Sequence, residues 1–517
     1  MKRTDTWDQS KLTGGSSAGK RGDSPPAPGP MPSPKRQRSE QEVKSRPTLK
    51  EVLKRPVAPQ LDSETDDLVI QIVDVHEIPD SDYLLITGCT EAGNSVSAFI
   101  DGFAPYFYVL PKSSKFCGND EDLDALDGFL GSAQGCVREL EVLDKILEGE
   151  TRTLVKITFD DIGSLSTIRG IFDDTCPYEA IEANVDYPTR FLVDHELPGH
   201  GGWVKFPAKK YKVIPDTERE CRSQIEIEIS HDVVEACEGS GNSPLRVLSF
   251  DIECMYDTRN KSVPSIHPII QISNMVVRMG ETEPFLRVIF TLDSCDPIEG
   301  VYVRSYPSEG ELLEAWQNFI HAVDPDVLTG FNILNFDLWF IIERSRRLTA
   351  FNVDLGRSKG SLTKHVNYIF HSDKYGSREG KNVQIPGRVV LDLFRHFPRN
   401  HSTFQLRSYG LSNVAQCLLR DDPDSQKIEL SYECIPKLQQ GPNANAATRR
   451  KLAVYCLQDA KVPLELLHKY SIMEGYLKAG KKKQVPFANL LGPSHSLQNL
   501  GIKLAHARAS QAVVSAL

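Results

Sequence analysis

The chain has 517 residues, of which 40% are hydrophobic and 25% charged, and its net charge at pH 7 is −10. This length leaves room for two or three domains, and the composition is typical of a soluble globular protein. No apolar run approaches the roughly 18 residues of a membrane span, and no apolar stretch follows the first residues. Neither a membrane anchor nor a secretory signal is therefore expected.

The eleven cysteines are odd in number, and no two are spaced as Cys-x-x-Cys. This pattern argues against a zinc knuckle, an iron–sulfur site and a disulfide framework. Cys254 and Cys456 lie beside acidic residues and are interpreted as small buried apolar side chains.

The first 62 residues differ in composition from the rest of the chain. Residues 1–60 hold 13 Lys and Arg against 6 Asp and Glu, so this arm carries +7 and the remainder −17. Prolines are frequent and aromatic residues few, so the segment cannot bury enough apolar surface to offset its ordering entropy. Residues 1–62 are predicted to form a disordered arm. Its basic cluster at residues 34–38 fits either a nuclear import signal or a solvated charge run.

From residue 63 the pattern becomes that of a folded domain. Apolar, β-branched and aromatic residues predict strands at residues 68–73, 104–109 and 154–159. Residues 63–240 are therefore predicted to form a mixed α+β domain with much sheet.

A second domain is predicted over residues 241–475. Apolar runs indicate strands at residues 245–250, 269–277, 285–292, 327–331 and 389–393. Ser308 and Glu311 fit a capping box that opens a helix, and further helices are expected at residues 336–347, 408–419 and 446–470. About five strands surrounded by helices, with acidic residues at strand ends, predict a ribonuclease-H-like α/β domain. Residues 476–517 form a tail that the pattern assigns to neither domain.

Three acidic clusters in the second domain carry the functional signal. Asp251 and Glu253 end an apolar strand, Asp337 opens a predicted helix, and Tyr455 and Asp459 lie on a later helix. The first pair is two residues apart and shares one face of a strand, and the last pair is four apart and shares one face of a helix. Two carboxylates at a strand end repel each other unless cations neutralise them.

Each cluster also has a purely structural alternative. An Asp after a strand is often an N-cap or an ion-pair partner, and Tyr-x-x-x-Asp occurs by chance on many helices. The joint occurrence favours a two-metal nuclease, in which carboxylate oxygens hold two divalent cations about 3.5–4 Å apart. Asp392 has no acidic companion and is interpreted as structural.

The sequences around these clusters point to a known family. They include residues 102–108 (GFAPYFY), 182–186 (EANVD), 246–254 (RVLSFDIEC), 324–330 (DPDVLTG), 332–337 (NILNFD) and 452–457 (LAVYCL). Over residues 68–470 the chain resembles the amino-terminal and exonuclease portion of the eukaryotic family B replicative DNA polymerases. The resemblance implies a multidomain fold of α/β and α+β classes. It would comprise a mixed-sheet amino-terminal domain and a ribonuclease-H-like 3′→5′ exonuclease domain.

The resemblance also implies roles for the acidic residues. Asp251 would bridge two Mg²⁺ or Mn²⁺ ions, while Glu253 and Asp459 would complete the side of the catalytic water. Asp337 would help to hold the second ion, and Tyr455 would orient the attacking water, which is the nucleophile. No zinc or iron–sulfur site is expected.

DNA contacts are expected from Asn332 and Phe336, and from Lys374 and Arg378 in a segment similar to the family's β-hairpin. A merely solvated polar hairpin is the alternative for that segment. The implied partners are single-stranded 3′ ends, primer–template DNA, polymerase accessory subunits and the sliding clamp. The implied location is the nucleus, without a membrane partner.

The two acidic motifs of the family's polymerase active site do not occur in these 517 residues. The chain fits a truncated product, an incomplete sequence or an exonuclease-only relative, and is not expected to extend a primer. Its rival functions are a proofreading exonuclease, a non-catalytic fragment that binds DNA or a partner, and an RNA-directed nuclease.

Overall fold

A computed structural model describes residues 47–514, apart from 79–80, 82, 114, 174, 258–261, 349–351, 373–375, 422–429 and 493–494. The chain divides into two units, Met1–Pro47 and Thr48–Leu517, and nearly all described residues belong to the second. The basic cluster at residues 34–38 lies outside the described residues. Among the described helices, none combines the length and apolarity needed to cross a bilayer.

The amino-terminal region is built from two sheets and short helices. Its elements are α1 (Leu49–Leu53), β1 (Leu68–Glu77), β2 (Leu84–Cys89), β3 (Ser95–Asp101), β4 (Tyr106–Pro111), α2 (Asp120–Leu130), β5 (Val137–Leu147), β6 (Glu150–Phe159), α3 (Ile162–Arg169), β7 (Tyr178–Ile181), α4 (Tyr187–Asp194), β8 (Trp203–Phe206), β9 (Tyr211–Val213), β10 (Ile225–Ser230) and β11 (Glu235–Cys237).

The seven-stranded sheet of this region has the order β11-β8-β1-β2-β3-β10-β9, and the four-stranded sheet has the order β5-β6-β4-β7. Most neighbouring strands are antiparallel, whereas β3 and β10 run parallel. The predicted strands at 68–73, 104–109 and 154–159 are confirmed as β1, β4 and β6. Their apolar residues, such as Ile70, Phe107 and Ile157, are fully buried.

The second region contains a six-stranded sheet, a hairpin and the longest helices. Its elements are β12 (Arg246–Cys254), β13 (Ile269–Arg278), β14 (Leu286–Leu292), β15 (Tyr302–Tyr306), α5 (Glu309–Val323), β16 (Val327–Gly330), α6 (Asp337–Leu348), β17 (Lys364–Ser372), β18 (Gly376–Gln384), β19 (Val389–Asp392), α7 (Leu393–Arg399), α8 (His401–Phe404), α9 (Leu411–Leu418), α10 (Ile435–Gln440) and α11 (Ala446–Lys469).

The sheet order β15-β14-β13-β12-β16-β19 places β12 in the interior of the sheet. Strand β12 is antiparallel to β13 and parallel to β16, which is in turn parallel to β19. Trp316 of α5 packs in the core below one face, and Cys456 of α11 packs in the core of the other. Because helices cover both faces, β12 is buried almost throughout, and the predicted α/β arrangement is confirmed.

Residues 48–62 correct the predicted disordered arm, because they belong to the same compact unit as the two folded regions. In α1, the apolar Leu49, Val52 and Leu53 pack against the core beneath the six-stranded sheet. Arg55 follows, with only 3% of its side chain exposed. Composition alone missed this segment because a few apolar residues and one buried arginine leave the average strongly polar.

Arg55 joins a buried ionic cluster that we call the arginine–aspartate hub, formed by Arg55, Arg357, Arg388, Asp324 and Asp326. Asp326 receives Arg55 Nη2 at 2.8 Å and Arg357 Nη2 at 2.5 Å. Asp324 Oδ1 accepts hydrogen bonds from Arg357 Nε at 2.9 Å and Arg388 Nη1 at 2.7 Å, and its Oδ2 forms an ion pair with Arg55 Nε at 2.9 Å. Each buried charge thus has several partners, which a buried ionic group requires.

The hub also ties the two regions together. Arg55 Nη1 donates to the carbonyl of Gly93 in the amino-terminal sheet region at 2.8 Å. Asp326 accepts the backbone N–H of Arg246, the first residue of β12, at 2.7 Å. Segments far apart in sequence therefore meet at one site beneath the start of β12.

The tail, which the sequence assigned to neither domain, packs against the cores of both regions. Its helices are α12 (Ile472–Lys483), α13 (Phe487–Leu490), α14 (His495–Gln498) and α15 (Leu500–Ala509). Arg508 of α15 forms two hydrogen bonds, at 3.0 and 2.7 Å, with the carboxylate of Glu182. Leu500 and Leu504 pack against Val185 and Val193.

A stability prediction arises at Asp74, whose side chain on β1 is 20% exposed and lies 4.0 Å from His76 Nδ1. Burial raises the pKa of Asp74 to about 7. Since the folded state holds this proton more tightly than the unfolded state, stability falls as pH rises from about 4 to about 7. Asp74→Asn is expected to stabilise the chain by about 1–2 kcal/mol at pH 8 and by less at pH 5. Thermal unfolding at both pH values would measure this, and equal gains would contradict it.

Candidate active site

Asp251 and Glu253 lie near the end of β12, where the strand leaves the core. Asp251 is half-buried and Glu253 is 7% exposed, and across the sheet they face Ser273 and Gln271 of β13. The pairing shifts register directly after Glu253. Period-two alternation places both carboxylates on the same face, as predicted.

Asp337 reaches the same strand from the turn that follows β16. Its Oδ1 accepts the backbone N–H of Ile252, the residue between Asp251 and Glu253, at 3.0 Å. The side chain is directed back to the sheet from the first residue of α6, and the residue is 2% exposed. The first and second acidic clusters therefore meet at the end of β12.

Helix α11 brings the third cluster to this place. Asn445 caps the helix, accepting the N–H groups of Ala447 and Thr448 at 2.9 and 3.1 Å. Ten residues into the helix, Tyr455 and Asp459 lie one turn apart, and Asp459 is 6% exposed.

The charges of these groups influence one another. Burial is the main reason that the pKa of Asp337 rises to about 7, and the charges of Asp392 and Asp459 raise it further. Burial likewise raises the pKa of Tyr455, with added contributions from Asp459, Glu253 and Asp251. The structure thus brings together all five residues predicted for the catalytic set.

Cys456 joins the cluster, although the sequence marked it only as a buried apolar residue. Its thiol donates to the carbonyl and to Oδ2 of Asp251 at 3.4 and 3.5 Å. Potential ligand atoms of Asp251, Glu253 and Cys456 lie within 4.8 Å of one another. The only sequence signal was its position next to Tyr455.

The chemistry of the donor set suits divalent cations. Four carboxylates converge on a largely buried site, and such a concentration of negative charge is costly without a compensating cation. Carboxylate oxygens are the ligands that Mg²⁺ and Mn²⁺ prefer. The residues present therefore fit hard divalent cations.

The predicted DNA-contacting residues are only partly described. Asn332 and Phe336 are half-buried beside Asp337; Asn332 Oδ1 accepts from Asn335 at 2.8 Å, and Phe336 packs against Phe340. Lys374 lies outside the described residues. Arg378 lies on β18, in a part of the strand where only the backbone is described. Their DNA contacts stay predictions.

Gly330 sets how closely the turn after β16 approaches β12. A Cβ atom there would lie 2.7 Å from the carbonyl oxygen of Phe250 and 2.5 Å from Cγ2 of Ile333. The Ile333 side chain can move, but the strand carbonyl beside Asp251 cannot. Gly330→Ala is therefore expected to destabilise the fold by about 1–3 kcal/mol. Urea unfolding would measure this, with Gly475→Ala as control, since a Cβ atom at Gly475 meets open space; equal stability of both variants would contradict it.

The chain is similar in sequence to known DNA polymerases. Residues 178–414 match the family model described as DNA polymerase family B, exonuclease domain. The chain is 34% identical over 458 residues to the DNA polymerase delta catalytic subunit of Glycine max, covering 83% of this chain and 40% of that protein. The corresponding subunit of Arabidopsis thaliana is 35% identical over 80% of this chain and 39% of its own length. That of Mesocricetus auratus is 34% identical over 85% and 42%.

The fold has a counterpart among solved structures. The family B DNA polymerase of the hyperthermophilic archaeon Pyrobaculum calidifontis matches with a TM-score of 0.64 and 18% identity, over 86% of this chain and 51% of that one. The chain spans about two fifths of the length of the curated relatives it matches. It is related to the catalytic subunits of DNA polymerase delta and carries the exonuclease domain of the family B DNA polymerases.

Proposed function

We propose that this chain is a divalent-metal-dependent 3′→5′ exonuclease that removes nucleotides from single-stranded DNA ends. The observation that carries the proposal is the convergence of Asp251, Glu253, Asp337 and Asp459 with Tyr455 at the end of β12. A role in binding alone gives no reason to gather four carboxylates at a site meant for a polyanion.

The proposed cofactors are two Mg²⁺ or Mn²⁺ ions. Asp251, Glu253, Asp337 and Asp459 would hold them. When bound, such ions supply a water of lowered pKa and neutralise charge on the leaving oxygen.

The chain's own residues would position the reactants. The raised pKa of Tyr455 keeps its phenol protonated at neutral pH, so its hydroxyl can hydrogen-bond the attacking water. The Asp337 bond to Ile252 N fixes one carboxylate against the strand that carries two others. The turn residues Asn332 and Phe336, with Lys374 and Arg378, would contact the DNA strand.

The wider assignments rest on the relatives. Replicative polymerases of the delta type act on DNA, so we place the chain in DNA replication, in the nucleus, as a proofreading activity. Accessory subunits and a sliding clamp are the proposed protein partners.

The test is digestion of single-stranded DNA by the purified chain in Mg²⁺. A 5′-labelled strand should give a ladder that shortens from the 3′ end, whereas a 3′-labelled strand should release labelled mononucleotide at once. An unlabelled RNA competitor should slow the reaction less than the same length of DNA. Asp251→Ala should abolish the ladder.

The matched control is Asp216→Ala, because that carboxylate is 87% exposed and paired with Arg219. It should digest DNA at the wild-type rate. No digestion by a folded wild-type chain, with DNA binding retained, would instead support the non-catalytic DNA-binding function. Equal competition by RNA would support an RNA-directed nuclease.

A further inference from the structure

Asp392, the last residue of β19, lies opposite Gly330 across the paired strands. It is 2% exposed. No acidic residue adjoins it in the sequence, and it has no role in the proposed reaction. Its hydrogen bonds connect it to the turn that precedes Asp337.

The carboxylate of Asp392 collects three backbone N–H groups. Oδ1 accepts from Asn332 at 2.7 Å and from Phe394 at 2.9 Å, and Oδ2 accepts from Leu334 at 3.1 Å. One side chain thereby holds both ends of the turn at residues 332–334 and caps α7. A carboxylate suits this position because it has two acceptor oxygens, whereas an amide would have one.

The turn has a conformation that needs such support. Asn332 adopts φ +69, in the left-handed region, which residues other than glycine seldom occupy. Its side chain is held by Asn335 at 2.8 Å, and Arg395 contacts Asn335 Oδ1 at 3.4 Å. Two of the turn's backbone N–H groups would lose their acceptor without the Asp392 carboxylate.

The turn leads directly into the acidic cluster. Leu338 N donates to the carbonyl of Ile333 at 2.8 Å, so the first turn of α6 is built on the residues that Asp392 fixes. Asp337 begins that helix and bonds Ile252 N. A shift of the turn would therefore carry Asp337 away from Asp251 and Glu253.

We propose that Asp392 is a positioning residue, which fixes the turn at residues 332–334 so that Asp337 stays poised toward Asp251 and Glu253 for cation binding. This inference rests on the proposed exonuclease function. Residues that orient metal ligands without touching the metal commonly affect metal affinity or activity by about 10–100-fold.

The test compares wild type with Asp392→Asn in the full chain. Hydrogen–deuterium exchange of peptides covering residues 330–340 should become faster in the variant. The Mn²⁺ concentration that gives half-maximal exonuclease rate should rise about 10–100-fold, and most of the rate should return at saturating Mn²⁺. Mn²⁺ binding followed by electron paramagnetic resonance should weaken by the same factor.

Two further variants make the result decisive. Asp392→Glu keeps both acceptor oxygens displaced by one methylene and should show a smaller shift in the Mn²⁺ requirement. Asp186→Asn alters another backbone-capping carboxylate, which accepts Thr189 N at 2.9 Å far from this turn, and should leave the Mn²⁺ requirement unchanged.

A lower unfolding temperature in Asp392→Asn, with exchange at residues 330–340 and Mn²⁺ affinity like those of wild type, would overturn the positioning role. If the wild type digests no DNA, the proposed function fails. Exchange and Mn²⁺ binding would still decide whether Asp392 positions Asp337.

Discussion

Replacing Asp326 with asparagine is expected to lower the free energy of unfolding by about 3–5 kcal/mol, because it breaks a buried ionic cluster from one side. Burial opposes ionisation of Asp326, but Arg55 and Arg357 outweigh it and hold the pKa of its carboxyl below the usual range. The asparagine would leave Asp324 as the one carboxylate of the hub facing three buried guanidinium groups. Urea unfolding followed by circular dichroism would measure the loss.

The control for this prediction is Asp216→Asn, which changes an exposed carboxylate paired with Arg219. Exposed pairs contribute little because water and salt screen them, so this variant should unfold like wild type. If Asp326→Asn and Asp216→Asn unfold at similar urea concentrations, the hub contributes no net stability.

Replacing Asp459 with alanine is expected to reduce the exonuclease rate on the order of a thousandfold, which corresponds to about 4 kcal/mol of transition-state stabilisation. Asp251→Ala should cost about the same. The double variant should be hardly slower than either single variant, because residues that act as one unit give non-additive losses. Single-turnover digestion of 5′-labelled DNA would measure all three rates.

Tyr455→Phe is the comparison within the same helix, since it removes a hydroxyl and keeps the ring and every carboxylate. Its exonuclease rate should fall about tenfold, which corresponds to the loss of a single neutral hydrogen bond. For the double variant of Asp251→Ala and Asp459→Ala, a loss of rate equal to the product of the two single losses would contradict the prediction. It would mean that the two carboxylates contribute independently.

The secondary structure around the acidic cluster could be predicted well from the sequence. Strand β12 and helix α11 each have long, regular patterns. Ser308 caps α5 as predicted, with its Oγ accepting from Glu311 N at 3.3 Å and donating to Glu311 Oε1 at 3.2 Å. Asp251, Glu253, Tyr455 and Asp459 follow from these two elements because strand and helix periods fix which residues share a face.

Long-range polar contacts could not be predicted in this way. Asp392 reads as an ordinary strand end, and only the parallel pairing of β16 with β19 brings it beneath the turn at Asn332. Cys456 reads as a core residue, and only the packing of α11 on β12 places its thiol on Asp251. Such contacts depend on the tertiary arrangement of distant segments, about which local sequence periodicity carries no information.

The position of Arg55 matters for anyone who prepares parts of this chain. An expression boundary at residue 63, where the sequence indicates that folded structure begins, would delete α1 and the Arg55 guanidinium. It would leave Asp326 with one fewer cation and uncover the core on which Leu49, Val52 and Leu53 pack. A boundary just before Thr48 would retain the Arg55 contacts that join the two regions. The two recombinant products should therefore differ in yield and solubility.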